Sequence, residues 1–333
     1  KDKQFMATVY SNIGLAYQEM NNITSALASY YEALNIYDTL GKFVPQLLYN
    51  NIGIVYQDIG DYPTSLEYFK KALILEEQEG NLIYQCSTLG NMGISYIRMG
   101  EYMNAVTYLG ESLLMAKMTG NRQAESNIYS HLGVVYRIMK SYPLALDYNI
   151  KALKYNREIG DKSAIARTLT QMGNIYFELH DFVASKKSYK EALYTAMETN
   201  DEISEVRIYL GLAELYKKFS DYISTENYLN KAVLNATKRN AYKELIKIYD
   251  MLSECYTSGS KYEPALKSLE ASKLFEKKLL DMEEERKIRN IMIHKSFQSG
   301  LLESNLSENG NRLAKLKNVL SNGDSMAGLR KNT

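Results

Sequence analysis

The residues of this chain best suited to catalysis are spaced too far apart to act together. Its three histidines, His131, His180 and His294, stand in different parts of the sequence, too distant to share a metal ion. No serine has a histidine and an acid near it in the arrangement that activates a hydroxyl. Glu283, Glu284 and Glu285 form a charge run that reads as the solvated face of a helix. Two periodic sets suit recognition better. Asn12, Asn51, Asn91, His131 and Gln171 follow one another at 39 or 40 residues, and Gly211 and Met251 continue the register. An amide can donate to and accept from an extended peptide backbone at once. Thr8, Leu47, Ser87, Asn127, Arg167, Arg207 and Lys247 form the second set, whose last three members are cationic. Arg137, Lys217 and Lys218 add to that basic line, while Glu214 and Glu254 interrupt it and can neutralise part of it. Free cations in such a line favour a carboxylate on a ligand. The expectation is a binding protein with no catalytic residues, no cofactor and no metal.

Positioning these sets falls to a repeated unit. Tyr17, Tyr56, Tyr96, Tyr136, Tyr176, Tyr216 and Tyr256 are spaced 39 once and 40 five times. A fixed period of this size is the mark of a solenoid of stacked supersecondary units. In the fourth copy Tyr129, Leu132, Gly133 and Tyr136 share one helix face, a break follows at Ser141, Tyr142 and Pro143, and Ala145, Leu146, Tyr148, Asn149, Ala152 and Leu153 recur with helical spacing. Small residues close the first helix face at Gly14, Gly53, Gly93, Gly133, Gly173, Ala213 and Ser253, and let paired helices approach closely. The second helices stop at Gly41, Gly80, Gly120, Gly160, Asn200 and Asn240, residue types that accept the left-handed conformation at a helix end. Most of the 29 tyrosines fall at internal positions of the unit, which makes them packing residues rather than a stacking platform for bases.

This frame resembles the tetratricopeptide repeat over about residues 5–280. It departs in having 40 residues rather than 34, and Gly or Asn in place of the closing proline. Both departures are similar to the long-repeat subgroup of kinesin light chains, Leu-Gly-Asn polarity adaptors and bacterial peptide-pheromone receptors. The resemblance implies an all-α fold, a right-handed superhelix of about seven helix-turn-helix repeats (5–41, 42–80, 81–120, 121–160, 161–200, 201–240 and 241–280) followed by an extended C-terminal helix and tail over 281–333. It also implies that the first helices line a concave groove. The amide ladder would then face inward and clamp a ligand backbone; the alternative is that the amides only bridge neighbouring repeats. Leu15, Ile54, Ile94 and Ile97 would face inward beside the ladder and take apolar ligand side chains, while Arg167, Arg207 and Lys247 would take an acidic portion. The expected partner is a protein or peptide segment bound extended. The readings left open are an interaction adaptor, a sensory module controlling a kinase or nucleotide cyclase, and a peptide-pheromone receptor.

Composition narrows the rest. Forty basic and 39 acidic residues give a net charge of +1, so no nucleic-acid partner is expected. No apolar run reaches the ~20 residues of a membrane span. Cys86 and Cys255 are four repeats apart and read as buried thiols in a reducing, cytoplasmic setting. The chain opens on Lys1, which suggests a piece of a longer protein. A continuous helix is expected to about Phe297, with a weak point at Gln298, Ser299 and Gly300. Beyond it Leu302, Leu306, Asn309, Leu313, Leu316 and Leu320 form a short heptad seam. That seam makes a homodimer through 288–320 one expectation and a capping helix the other. Asp324 to Leu329 loosely resembles the opening of diguanylate cyclase domains.

Overall fold

A computed structural model describes residues 2–285 together with Ile288 and Met292. The expected helix run to Phe297 past residue 285, the seam and homodimer through 288–320, and the stretch 324–329 lie outside the described residues. Every regular element among the described residues is an α-helix. The helices come in pairs: α1 (Asp2–Glu19) with α2 (Ile23–Thr39), α3 (Gln46–Ile59) with α4 (Tyr62–Glu79), α5 (Leu82–Met99) with α6 (Tyr102–Met118), and α7 (Arg122–Ile138) with α8 (Tyr142–Ile159). Then follow α9 (Lys162–Glu178) with α10 (Phe182–Glu198), α11 (Glu202–Lys218) with α12 (Tyr222–Lys238), and α13 (Tyr242–Ser258) with α14 over 262–285. Residues 2–44 and Pro45–Glu284 belong to separate compact units.

Local chemistry sets the helix ends. Asn22, Asp61, Asn81, Asn121, Asp161, Asp181, Asp201 and Asp221 each accept a backbone N–H three residues on. Such a cap satisfies a donor that the first turn leaves without a partner. The six stops named from sequence all have positive φ, from 51° at Asn240 to 80° at Gly160. The turns inside the pairs use the same conformation, and there the chain tolerates Lys140, His180, Ser220 and Ser260 at φ of 57–62°. Glycine would be favoured at these four turns, and the sequence gives no sign of the strain.

In several pairs a glycine of the first helix lies against a large side chain of the second. A Cβ on Gly53 would stand 2.6 Å from the ring of Phe69, and one on Gly93 2.7 Å from Leu109. Four first-helix tyrosines stack on a tyrosine of their own second helix: Tyr56 on Tyr68, Tyr96 on Tyr108, Tyr136 on Tyr148 and Tyr216 on Tyr228, with centroids 5.1–5.7 Å apart. In the last pair Phe275 of α14 stacks on Tyr249 of α13 at 5.7 Å. In the first unit, the Tyr30 hydroxyl donates to Gln18 Oε1 at 2.9 Å beneath Gly14.

Within Pro45–Glu284 the pairs stack in sequence order. First helices also meet first helices of the next pair, α3 with α5, α5 with α7, α7 with α9, α9 with α11 and α11 with α13. Among the described residues, none of the second helices α4, α6, α8, α10 and α12 makes a contact of that strength with another. The row of first helices is therefore the inner side of the curve.

Candidate functional site

The inner row carries two cavities. One, of about 460 Å³, lies along α5, α7 and the start of α9, with Ser87, Asn91, Ile94, Asn127, His131 and Arg167 in its wall. Gly90 opens its floor as far as Ser112 and the buried Cys86. The other, of about 260 Å³, lies along α9, α11 and α13 and is lined by Arg167, Gln171, Asn174, Arg207, Glu214 and Lys247 among others. Arg167 belongs to both, so the two form one path along the inner row.

The ladder residues differ in what they are free to do. Asn91 Nδ2 donates to Asn50 Oδ1 at 3.4 Å, and its backbone carbonyl accepts from Gln57 Nε2 at 2.8 Å. That amide bridges neighbouring repeats. Asn51, half-buried on α3, has no side-chain partner among the described residues. Gln171 Oε1 is buried against the smaller cavity and accepts no hydrogen bond. His131 is half-buried in the wall of the larger cavity, and burial, with the charges of Arg167 and Arg98 adding, pushes its pKa down to about 4. At neutral pH it is an uncharged donor and acceptor, not a cation. Gly211 stands where an amide would, because a Cβ there would lie 2.5 Å from the ring of Tyr189. Tyr189 reaches through from α10, and its hydroxyl donates to Asn174 Oδ1 at 2.6 Å. Asn12 and Leu15 are exposed on α1, in the first unit.

The apolar members also divide. Ile94 faces the larger cavity, whereas Ile54 packs against the core of Leu66, Phe69 and Met92. In the basic line Lys247 pairs with Glu214 at 2.8 Å, and Lys217 pairs with Glu254. Arg137, Arg167 and Arg207 have no carboxylate partner among the described residues, and Arg167 and Arg207 are exposed over the cavities. The groove thus keeps two free guanidinium groups and one orphaned amide oxygen close together on α9 and α11.

Sequence reasoning missed a buried polar chain behind the ladder. Asn91 donates to Asn50, Asn50 Nδ2 donates to Thr88 Oγ1, and Thr88 Oγ1 donates to Glu76 Oε1 at 2.8 Å. Glu76 is fully buried on α4, and its Oε2 has no partner. Burial pushes its pKa up to about 7 against the Thr88 hydrogen bond, with Glu79 and Glu77 adding to the rise. The available signal was the register: positions one period on hold Ala116, Asn156, Ala196 and Ala236, and the next charged residue there, Glu276, is exposed, so Glu76 is the charged residue that the register buries. Asn174 was missed as well. It follows Leu15, Ile54 and Ile94 at the same period and could have been read from it.

No group of three or more His, Cys, Asp or Glu among the described residues is placed to hold a metal ion. No described helix is long and apolar enough to cross a membrane.

The profile of the family described as Tetratricopeptide repeat matches residues 5–77, 43–118, 84–158 and 124–196. No curated protein matches the chain. Among solved structures, the apo form of RapI superposes with a TM-score of 0.68 at 15% identity, covering 83% of this chain and 99% of RapI. The apo quorum sensor NprR from B. thuringiensis gives 0.69 at 19% identity, over 81% of this chain and 76% of NprR. A Rap protein complexed with Competence and Sporulation Factor gives 0.60 at 16% identity, over 85% of this chain and 76% of that one. With seven helix pairs in register and four overlapping profile matches, this chain belongs to the tetratricopeptide-repeat family.

Proposed function

We propose that the protein is a non-enzymatic binding scaffold that holds an extended peptide or protein segment along its first helices. One observation carries this reading: the orphaned oxygen of Gln171 and the unpaired guanidinium groups of Arg167 and Arg207 border one cavity of about 260 Å³. A buried acceptor without a donor costs roughly 1–3 kcal/mol, and a ligand backbone N–H relieves it. Two unpaired arginines beside it select a carboxylate, which they hold by charge-assisted hydrogen bonds. The ligand is therefore an extended segment with an acidic portion at α9 and α11. Toward α5 it places an apolar side chain against Ile94. Asn51 and the neutral His131 supply further backbone contacts. The structural likeness to a Rap protein complexed with Competence and Sporulation Factor, and to a protein named a quorum sensor, agrees with a peptide as the ligand.

The test is selection of a random peptide library on the whole chain, followed by fluorescence anisotropy with the enriched peptides. Acidic sequences should dominate. Charge reversal by Arg167→Glu with Arg207→Glu should weaken them at least tenfold, as loss of charged hydrogen bonds of about 1.5–3 kcal/mol requires. Binding should also weaken with added salt. Peptides that bind the reversed protein equally well would refute the placement of the acidic portion. Equal affinity after Asn51→Ala with Gln171→Ala would refute the amide clamp.

A further inference from the structure

A third cavity lies away from the ladder, where the start of α10 meets the end of α11. It encloses about 500 Å³ and is walled by Phe182, Val183, Lys186, Lys190, Tyr216 and Phe219. The other repeats of the same chain show how unusual it is. At the register of Lys186 they carry Leu66, Val106, Leu146, Glu226 and Leu266. Leu66 is buried there in the core of its repeat, and Leu146 is partly buried against the next. Lys186 does not fill that space: its Nζ stands 4.8 Å from the ring centroid of Tyr216, a cation–π contact. The crevice between the repeats is left open.

Its rim departs from the repeat in the same direction. Phe182 stands where Tyr62, Tyr102, Tyr142, Tyr222 and Tyr262 stand, so the hydroxyl is lost. Phe182 packs edge-on against Phe219 at 5.1 Å and against Phe177 at 5.7 Å. Phe219 remains 61% exposed and Val183 82% exposed, so two large apolar groups face water beside the opening. Lys187 and Lys190 flank it without an acidic partner among the described residues. At their registers the other repeats hold mostly acidic, neutral or apolar residues, such as Asp147 and Ile150.

We propose that this cavity is a second docking site, for a partner protein segment that inserts one bulky apolar side chain beside carboxylates. The apolar walls bury the anchor and take it out of water. The lysines at the rim supply the charge complement that sets the partner's sign. The site is separate from the groove and needs none of the ladder residues.

The experiment keeps the two sites apart. A phage-displayed random peptide library is selected on the whole chain carrying Arg167→Glu and Arg207→Glu, whose groove charge is reversed. The enriched peptides are measured by fluorescence anisotropy on that protein and on one that also carries Lys187→Glu and Lys190→Glu. Both lysines are on the surface, and circular dichroism confirms that the helices are retained. The expected result is enrichment of Leu or Phe next to Asp or Glu, with affinity lost at least tenfold on lysine reversal. Phe219→Ser should weaken the same peptides without changing their salt dependence. The proposal is overturned if no peptide saturates, if lysine reversal leaves the affinity unchanged, or if phosphatidylserine vesicles bind the patch and the peptides do not.

Discussion

Replacing Glu76 with glutamine should convert a pH-dependent core into a pH-independent one. Glu76 is completely buried, its Oε2 has no partner, and its pKa is pushed up from 4.5 to about 7. An acid whose folded pKa is raised favours the fold in its protonated form. That contribution is complete below pH 4.5 and is lost as the pH rises through 7. A rise of about 2.5 units at 1.36 kcal/mol each gives roughly 3 kcal/mol between the two limits. Glutamine copies the protonated acid in shape, and its carbonyl still accepts from Thr88. The assay is urea unfolding followed by far-UV circular dichroism at pH 5 and pH 8. The wild-type protein should lose stability relative to Glu76→Gln by about 2–3 kcal/mol across that interval. The variant should be the more stable protein at pH 8. Curves for the two proteins that stay parallel from pH 5 to pH 8 would refute the reasoning, because they would mean that the carboxylate ionises in the fold without penalty. Asn156 is the internal precedent: at the same register it accepts from Ser126 at 2.5 Å and donates to Thr168 at 3.2 Å, with no charge to bury.

Three further changes test the packing. Asn149 sits where the other repeats place Phe69, Leu109, Tyr189 and Leu229, and its buried Oδ1 has no partner. Asn149→Leu should therefore stabilise by about 1–3 kcal/mol in urea unfolding, and a lower midpoint would show that the pocket cannot hold a leucine. Gly53→Ala should destabilise by about 1–3 kcal/mol despite its better helix propensity, because Phe69 is fully buried and has nowhere to retreat. An unchanged or raised melting temperature would contradict the close approach. Ser220→Gly should raise the melting temperature, since serine holds φ 57° there at a cost of about 1 kcal/mol; a fall would mean that the turn is not strained.

Much of the architecture is local and so was readable. The 40-residue period, the small residues facing Phe69 and Leu109, and the Gly and Asn stops each act within one repeat or on its immediate neighbour. In a solenoid such near-neighbour terms are enough to specify the fold. The left-handed backbone of the internal turns at Lys140, His180, Ser220 and Ser260 was not legible, because neither glycine nor asparagine marks it. The two periodic sets of polar and basic residues were also picked out by period alone, since residues at one register share one face of the stack.

What each of those residues is free to do was decided only by tertiary structure. Lys247 and Glu214, or Lys217 and Glu254, are 33 and 37 residues apart in sequence and meet only because α11 and α13 lie side by side. The same stacking ties Asn91 to Asn50 while leaving Gln171 without a partner. It also takes Glu76 out of water and opens the crevice that Lys186 does not fill. Periodicity assigns a side chain to a face. Whether that side chain is paired, buried or exposed to a ligand depends on distances of a few ångströms across the interface between repeats, where hydrogen bonds and ion pairs either form or do not.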